Sequence, residues 1–273
     1  MSLRLNVPDA AASSLVRLVA ESPKWLSAML IPWLLGSAVY TYAAYAVPRA
    51  FQIGGMPSWL GFAIFLPFSA IVVSAVLNNI IHRKPCGFRN LKISEDTGRV
   101  ALVLLALLLA DLLIEFIKDQ VINIYINQRS GSGVAVLLEE MQFVSAAITG
   151  STWLFTCLAI AIIYPMLPVV IDRRRFDFEQ WSTLIKEHGG RFFLLTVLLS
   201  AAYKGFEKAY LAVLTWGGSL QFPDGTGIMH EFLIRQFLYL LLYLPTDFIA
   251  EVLPAVAAGT VYVALLNRSG SDG

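Results

Sequence analysis

The sequence predicts an all-α, polytopic membrane protein: six transmembrane helices as three hairpins, plus interfacial amphipathic helices. Three observations carry that prediction. Hydrophobic residues make up 57% of the 273-residue chain and charged residues only 14%, against about 45–50% and about 25% in soluble domains. Mean hydropathy is +0.68. The apolar residues fall in long unbroken runs, not in the alternating pattern of barrel strands. A soluble single-core domain and intrinsic disorder are both excluded. A net charge of +1 offers no basic field for nucleic acid. Two cysteines, Cys86 and Cys157, build neither a disulfide framework nor a Cys-rich metal site.

Residues 1–24 read as an N-terminal cytoplasmic segment. Arg4, Asp9, Arg17 and Glu21 leave no apolar core ahead of Trp25, so the first span serves as an uncleaved insertion signal. From Asp9, a candidate N-cap, to Glu21, Leu15, Val16, Leu18 and Val19 form an apolar stripe that Pro23 ends. A spanning helix needs about 20 mostly apolar residues. In the transmembrane domain, residues 25–268, the spans read as Trp25–Val47, Trp59–Ile81, Val100–Ile117, Val144–Ile171, a fifth from Phe192 that loses its purity at Lys204, and Asp247–Leu266. Residues 269–273 form a short tail. A second amphipathic helix runs from Asp177, a candidate cap, to His188, with Trp181, Leu184 and Ile185 as its stripe, and stops at Gly189-Gly190. Val134 to Met141 reads as a short surface helix after the tip at Gln128–Gly133. Phe232 to Leu244 is too short to span alone and reads as an outer interfacial helix, with re-entry or continuation through Pro245 as alternatives.

Lys and Arg counts orient the chain. Arg83, Lys84, Arg89, Lys92 and Arg99 fill the second–third connection, and Arg173, Arg174, Arg175, Lys186 and Arg191 fill the fourth–fifth. Outer segments hold few basic residues by comparison, so both termini are expected in the cytoplasm. The triplet Arg173-Arg174-Arg175 reads as an anchor contacting anionic lipid. A weak repeat accompanies this order: Lys24-Trp25-Leu26, Arg99-Val100-Ala101 and Arg191-Phe192-Phe193 each open an odd-numbered span.

Ionisable residues inside the membrane are the main functional pointers. Asp111 lies about 16 Å and Lys204 about 18 Å from the cytoplasmic boundary at 1.5 Å rise per residue. Glu115 and Glu207 sit about one turn further out, with Lys208 beside Glu207. Asp247 and Glu251 occupy the outer half of the sixth span. An isolated Asp or Lys at mid-membrane costs about 3 kcal/mol. The cluster Asp111, Glu115, Lys204, Glu207, Lys208, Asp247 and Glu251 is therefore expected to face inward, with Asp111–Lys204 as the first pair and Glu115 or Glu251 with Lys208 as the second. A polar, outward-opening cavity is the functional reading; snorkelling lysines or structural clamps between helices are the alternatives. Ala255 and Gly259 form a small-xxx-small pair suited to close helix packing.

Catalytic patterns are missing from the sequence. His82, His188 and His230 have no partner at metal-ligand spacing, and Pro85 and Gly87 break any helix that would align His82 with Cys86. No nucleophile elbow or phosphate-binding glycine loop occurs. No catalytic, metal or cofactor-binding residue is assigned, and no cofactor is expected.

The order of landmarks resembles the membrane domain of bacterial glycerophosphodiester phosphodiesterases and a related family of stand-alone six-helix bacterial membrane proteins. The resemblance rests on Ser22-Pro23-Lys24 before the first span, the run Tyr164-Pro165-Met166-Leu167-Pro168-Val169-Val170-Ile171-Asp172-Arg173, a following amphipathic helix with Trp181, Arg191-Phe192-Phe193, and a last span ending Val261 to Arg268. It covers most of the chain as a hydropathy pattern; the charges of the fifth and sixth spans depart from it. It implies a six-helix fold and a bacterial inner membrane, and no activity.

On sequence alone the leading expectation is a non-enzymatic accessory or scaffolding subunit, or a lipid-organising component. Its partners would be membrane lipids and a membrane-protein partner or second copy. The runner-up is a transporter-like protein binding a small charged solute or lipid headgroup.

Overall fold

The computed structural model describes residues 6–46, 58–87, 91, 93–129, 134–216 and 229–269. All described elements are helical: α1 (Val7–Ala46), α2 (Ser58–His82), α3 (Glu95–Arg129), α4 (Val134–Ile163), α5 (Met166–Arg173), α6 (Phe178–Trp216) and α7 (Met229–Ser269). Among the described residues there is no strand. The reason is solvent: an apolar run that must satisfy its own N–H and C=O groups without water does so within one helix.

Five helices are long and apolar enough to cross a membrane: α1, α2, α3, the α4–α5 stretch and α7. Helix α6 is not among them, because Arg191, Lys204, Glu207 and Lys208 interrupt its apolar run. Helix α1 packs against α2, α6 and α7, and α2 also against α3 and α7. Helix α4 lies between α3 and α6. Two apolar cores result, one around Trp25, Met29 and Val252, the other around Leu77, Val100 and Leu167, all buried.

Helix ends follow the polar residues at hand. Asn6 opens α1: its carbonyl accepts Ala10 N–H at 3.0 Å, and its amide donates to Asp9 at 2.6 Å. Asp9 is thus inside the helix and is not the cap. Ser94 opens α3, its N–H held by Thr97 Oγ1 at 3.2 Å. Asp177 caps α6 as expected, its Oδ1 accepting Gln180 N–H at 3.0 Å. Arg83 and Arg174 end α2 and α5 at φ 54° and 53°.

Several expected boundaries are absent. Helix α1 runs straight through Pro23. Pro23 donates nothing to the Val19 carbonyl, but Ser22 Oγ donates to it at 2.9 Å, so the break is bridged. Helix α6 runs through Gly189-Gly190, so the second amphipathic helix does not stop there. Val134–Met141 is the first part of α4 rather than a separate helix. Phe232–Leu244 is no separate interfacial helix either; α7 continues through Pro245 and Pro254. In each case the free energy of carrying on one helix exceeds the local penalty of about 1 kcal/mol for glycine or about 3 kcal/mol for proline. The loop tip at 130–133 lies outside the described residues.

One proline does break its helix. Tyr164-Pro165 separates α4 from α5, where Leu167 N–H turns back to the Tyr164 carbonyl at 3.0 Å. Pro165 has no N–H for the Ala161 carbonyl, and the turn also strips the Ile162 carbonyl of its helical donor. Trp181 supplies one, its indole N–H reaching Ile162 O at 2.8 Å.

Close approach of α7 to α2 depends on Gly259. A Cβ there would lie 2.9 Å from Leu77 Cδ2 and 3.2 Å from Ile80 Cγ2, and both side chains are buried. The small-xxx-small stripe therefore faces a neighbouring helix, with Ala255 fully buried beside it.

Candidate functional site

The long helices leave a cavity of about 690 Å³ between them. Every one of the six contributes to its wall, among them Trp33 of α1, Ser69 of α2, Asp111 of α3, Trp153 of α4, Lys204 of α6 and Glu251 of α7. Helix α3 lines it from Leu104 to Ile114, about 15 Å of axis, and α6 from Phe192 to Lys204, about 18 Å. Most of the wall is Leu, Ile, Phe and Ala. Pro165 and Phe192 lie towards one end. Asp111, Trp153, Lys204 and Glu251 sit near the opposite end of each helix's contribution.

Three of the seven charges singled out in the sequence, Asp111, Lys204 and Glu251, thus line one space. Their pairing differs from the expectation. Lys204 Nζ donates to Glu207 Oε2 at 2.7 Å, one turn along its own helix, and lies 5.3 Å from the Tyr203 ring. Glu115 pairs with Lys118, again within one helix, rather than with Lys208. Asp111 takes Thr156 Oγ1 as donor at 3.5 Å, across to α4, instead of Lys204. An i,i+3 pair lies on one helix face and needs no register between helices. Lys208 is exposed. The side chain of Asp247 lies outside the described residues.

The neutral members of this wall carry no charge signal in the sequence and were not singled out. Trp153 Nε1 donates to Ser200 Oγ at 2.8 Å, joining α4 to α6 within the wall. Thr156 sits in the apolar run of α4, where a hydroxyl is one polar atom among many carbons. A mid-span tryptophan with hydroxyls on other spans was the available cue.

A second polar group lies at the far end of α7. Tyr262 donates to Asp172 Oδ2 at 2.7 Å and accepts from Gln180 Nε2 at 3.0 Å. Arg173 Nε donates to Gln180 Oε1 at 3.0 Å, and Arg175 lies 3.7 Å from Asp177. Arg173, Arg174 and Arg175 are all exposed, beside the stacked rings of Phe176 and Phe178. Nearby in sequence to the second span, Cys86 is half-buried; burial, with the Glu21 carboxylate adding to it, pushes its thiol up to about 11. Among the described residues no three His, Cys, Asp or Glu side chains gather as metal ligands.

No protein-family model, curated protein or solved structure matches this chain.

Proposed function

We propose that this protein is a transporter-like integral membrane protein that binds an amphipathic molecule in the cavity between its helices. The observation that carries the reading is the collection of Asp111, Lys204 and Glu251, from three helices, on one otherwise apolar wall. Ligand sites have this composition: about 300–1,000 Å³, mainly apolar, with a few convergent polar groups. Charges inside a span are costly, and such residues mark solute paths, proton relays and ligand counter-ions. The ligand's apolar body would occupy the Leu- and Phe-lined length, and its charged end the region of Asp111, Lys204 and Glu251. No bond of the ligand is made or broken in this reading.

The same proposal takes α6 as a sixth span, with Lys204 on the cavity wall and its ammonium held by Glu207, and arranges the six as three hairpins. The basic connections favour both termini in the cytoplasm, and the reading takes the bacterial inner membrane as the chain's location. Residues 1–24 then lead into the bundle, and Arg173, Arg174 and Arg175 meet anionic lipid.

Cysteines at positions 111 and 204, in a chain lacking Cys86 and Cys157, test the cavity. They are expected to react with a polar thiol reagent added from outside, and native mass spectrometry of a mild extract is expected to find a retained small molecule. Absence of both overturns the reading.

Helix α3 favours a second reading, that of an accessory or scaffolding subunit. Its apolar window is only 11% buried, against 39–56% for the other four. Leu102, Leu109, Leu113 and Phe116 are exposed along it. Cross-linking from those positions to a stoichiometric protein partner, or to a second copy, would support this role; a clean monomer in mild detergent would oppose it.

A further inference from the structure

We propose that the molecule bound in the cavity is a single-chain amphiphile, one unbranched acyl or alkyl chain inserted tail-first, its terminal methyl at the end formed by Pro165 and Phe192. This rests on the reading of the cavity as a ligand site and names the class and the orientation of the ligand.

The burial of the wall is graded along its length. At one end Asp111, Trp153 and Glu251 are half-buried and Lys204 is exposed. At the other, Leu104, Ala161, Pro165, Phe192, Leu195 and Ala258 are buried although they line the space. The cavity therefore tapers toward this second end and finishes blind. Helix α5 closes it: beyond Pro165 it packs against α2, α3 and α7, with Leu167, Val169, Val170 and Ile171 fully buried. A wide ring system stops where the wall becomes buried, whereas a chain one methylene wide continues to the floor.

The polar atoms are sorted the same way. The bonds that join helices across the wall, Thr156 to Asp111 and Trp153 to Ser200, stand toward the open end. Ser69 and Thr196, further in, donate to the Phe65 and Phe192 carbonyls of their own helices at 3.0 and 2.9 Å, so neither hydroxyl proton is left for a ligand. A hydrocarbon tail moves from lipid into such a wall at little cost, while a polar tail would give up its hydrogen bonds. Length sets the chain. The lined axis is about 15 Å on α3 and about 18 Å on α6. With bonds of about 1.5 Å and angles of about 111°, an extended chain advances about 1.25 Å per carbon, so about 12 to 14 carbons reach from the polar groups to the floor.

The test uses the full chain in lipid nanodiscs, with empty nanodiscs as background. Two photoreactive tetradecanoic acids are compared, one with a diazirine on the terminal carbon and one with it beside the carboxyl group, and the modified residues are read by peptide mass spectrometry. The terminal probe is expected on the floor, at Tyr164, Phe192 or Leu195, and the head probe near Asp111 and Trp153. Unlabelled tetradecanoic acid and tetradecanoyl lysophosphatidylcholine are the competitors; the one that displaces the probes at lower mole fraction names the source of the chain, a free acid or a lysolipid. Octadecanoic acid is expected to compete about tenfold less well than tetradecanoic acid, because its last carbons overfill the blind end. Phe192→Ala, which deepens the floor, is expected to remove that difference. Terminal labelling confined to the lipid-facing Leu102, Leu109 and Leu113, equal labelling of both ends, or competition that improves steadily with chain length overturns the single-chain class. The cavity reading then stands or falls separately, on the reaction of cysteines at 111 and 204 and on the molecule retained in the extract. If Phe192→Ala misfolds, the positions of the two probes on the wild-type chain still decide.

Discussion

Trp181 and Ile162 form the bond that lets the fourth apolar run break and still hold its course. The indole N–H of Trp181, on α6, reaches the Ile162 carbonyl on α4 at 2.8 Å, where the Pro165 turn has removed the helical donor. The ring also meets Phe178 edge-on at 6.3 Å. A helix that leads into the bundle thus repairs the defect of another.

Trp181→Phe retains an aromatic body and loses the donor. Leaving a carbonyl without a donor where water is excluded costs about 1–3 kcal/mol, and less where water reaches it. A lower thermal unfolding temperature in detergent is the expected result, with Trp181→Phe worse than Phe178→Leu. An unchanged transition would mean that water reaches Ile162.

Tyr262 and Asp172 act as one unit. The Tyr262 hydroxyl joins Asp172 at 2.7 Å and Gln180 at 3.0 Å, and the ring is buried. Tyr262→Phe and Asp172→Asn, singly and together, should show a coupling of about 0.5–3 kcal/mol in a double-mutant cycle. Additive effects would show that the two groups are independent.

Gly259 and Gly150 should respond oppositely to alanine. At Gly259 the new methyl meets Leu77 at 2.9 Å, inside a packed interface, while at Gly150 nothing lies within 4 Å. Overpacking costs about 1–3 kcal/mol, and alanine in a helix returns up to about 1 kcal/mol. Gly259→Ala should lower the unfolding temperature, Gly150→Ala leave it or raise it, and Gly259→Val should lower it further. Equal responses would refute the close approach of α7 to α2.

Two groups outside the spans give pH signatures. His188 is buried with Nδ1 unpartnered among the described residues. Burial lowers its pKa, Glu187 raises it and Arg191 lowers it further. The unfolded chain then binds the proton first, so stability is full above the ordinary histidine value of about 6.5 and is lost as pH falls through the folded value. His188→Gln should flatten the fall in unfolding temperature between about pH 8 and pH 5. The sign is opposite for Cys86, whose thiol is pushed up to about 11. Stability from the neutral thiol is present below the ordinary thiol range and fades as pH rises toward about 11. Alkylation of folded Cys86 should be slow at neutral pH and speed up when the chain is unfolded.

How much of this was readable in the chain is clearest from particular residues. The helical class, most of the spans, the Asp177 cap and the small-residue face of Gly259 follow from the sequence, because each depends on local solvent and spacing alone. The positions of Asp111 and Lys204 along their own helix axes follow too, since axial position is residue count multiplied by rise. Depth predicted a pair between them; the structure gives Lys204 to Glu207 and Asp111 to Thr156. Helix continuity through Pro23, Gly189-Gly190 and Pro245, the Trp181 repair at Ile162, and the shared wall of Trp153, Ser200 and Glu251 were decided only in three dimensions. The chain determines how far each group lies along its own axis. Which groups meet depends on the rotation and tilt of whole helices, set by the summed packing of residues far apart in sequence.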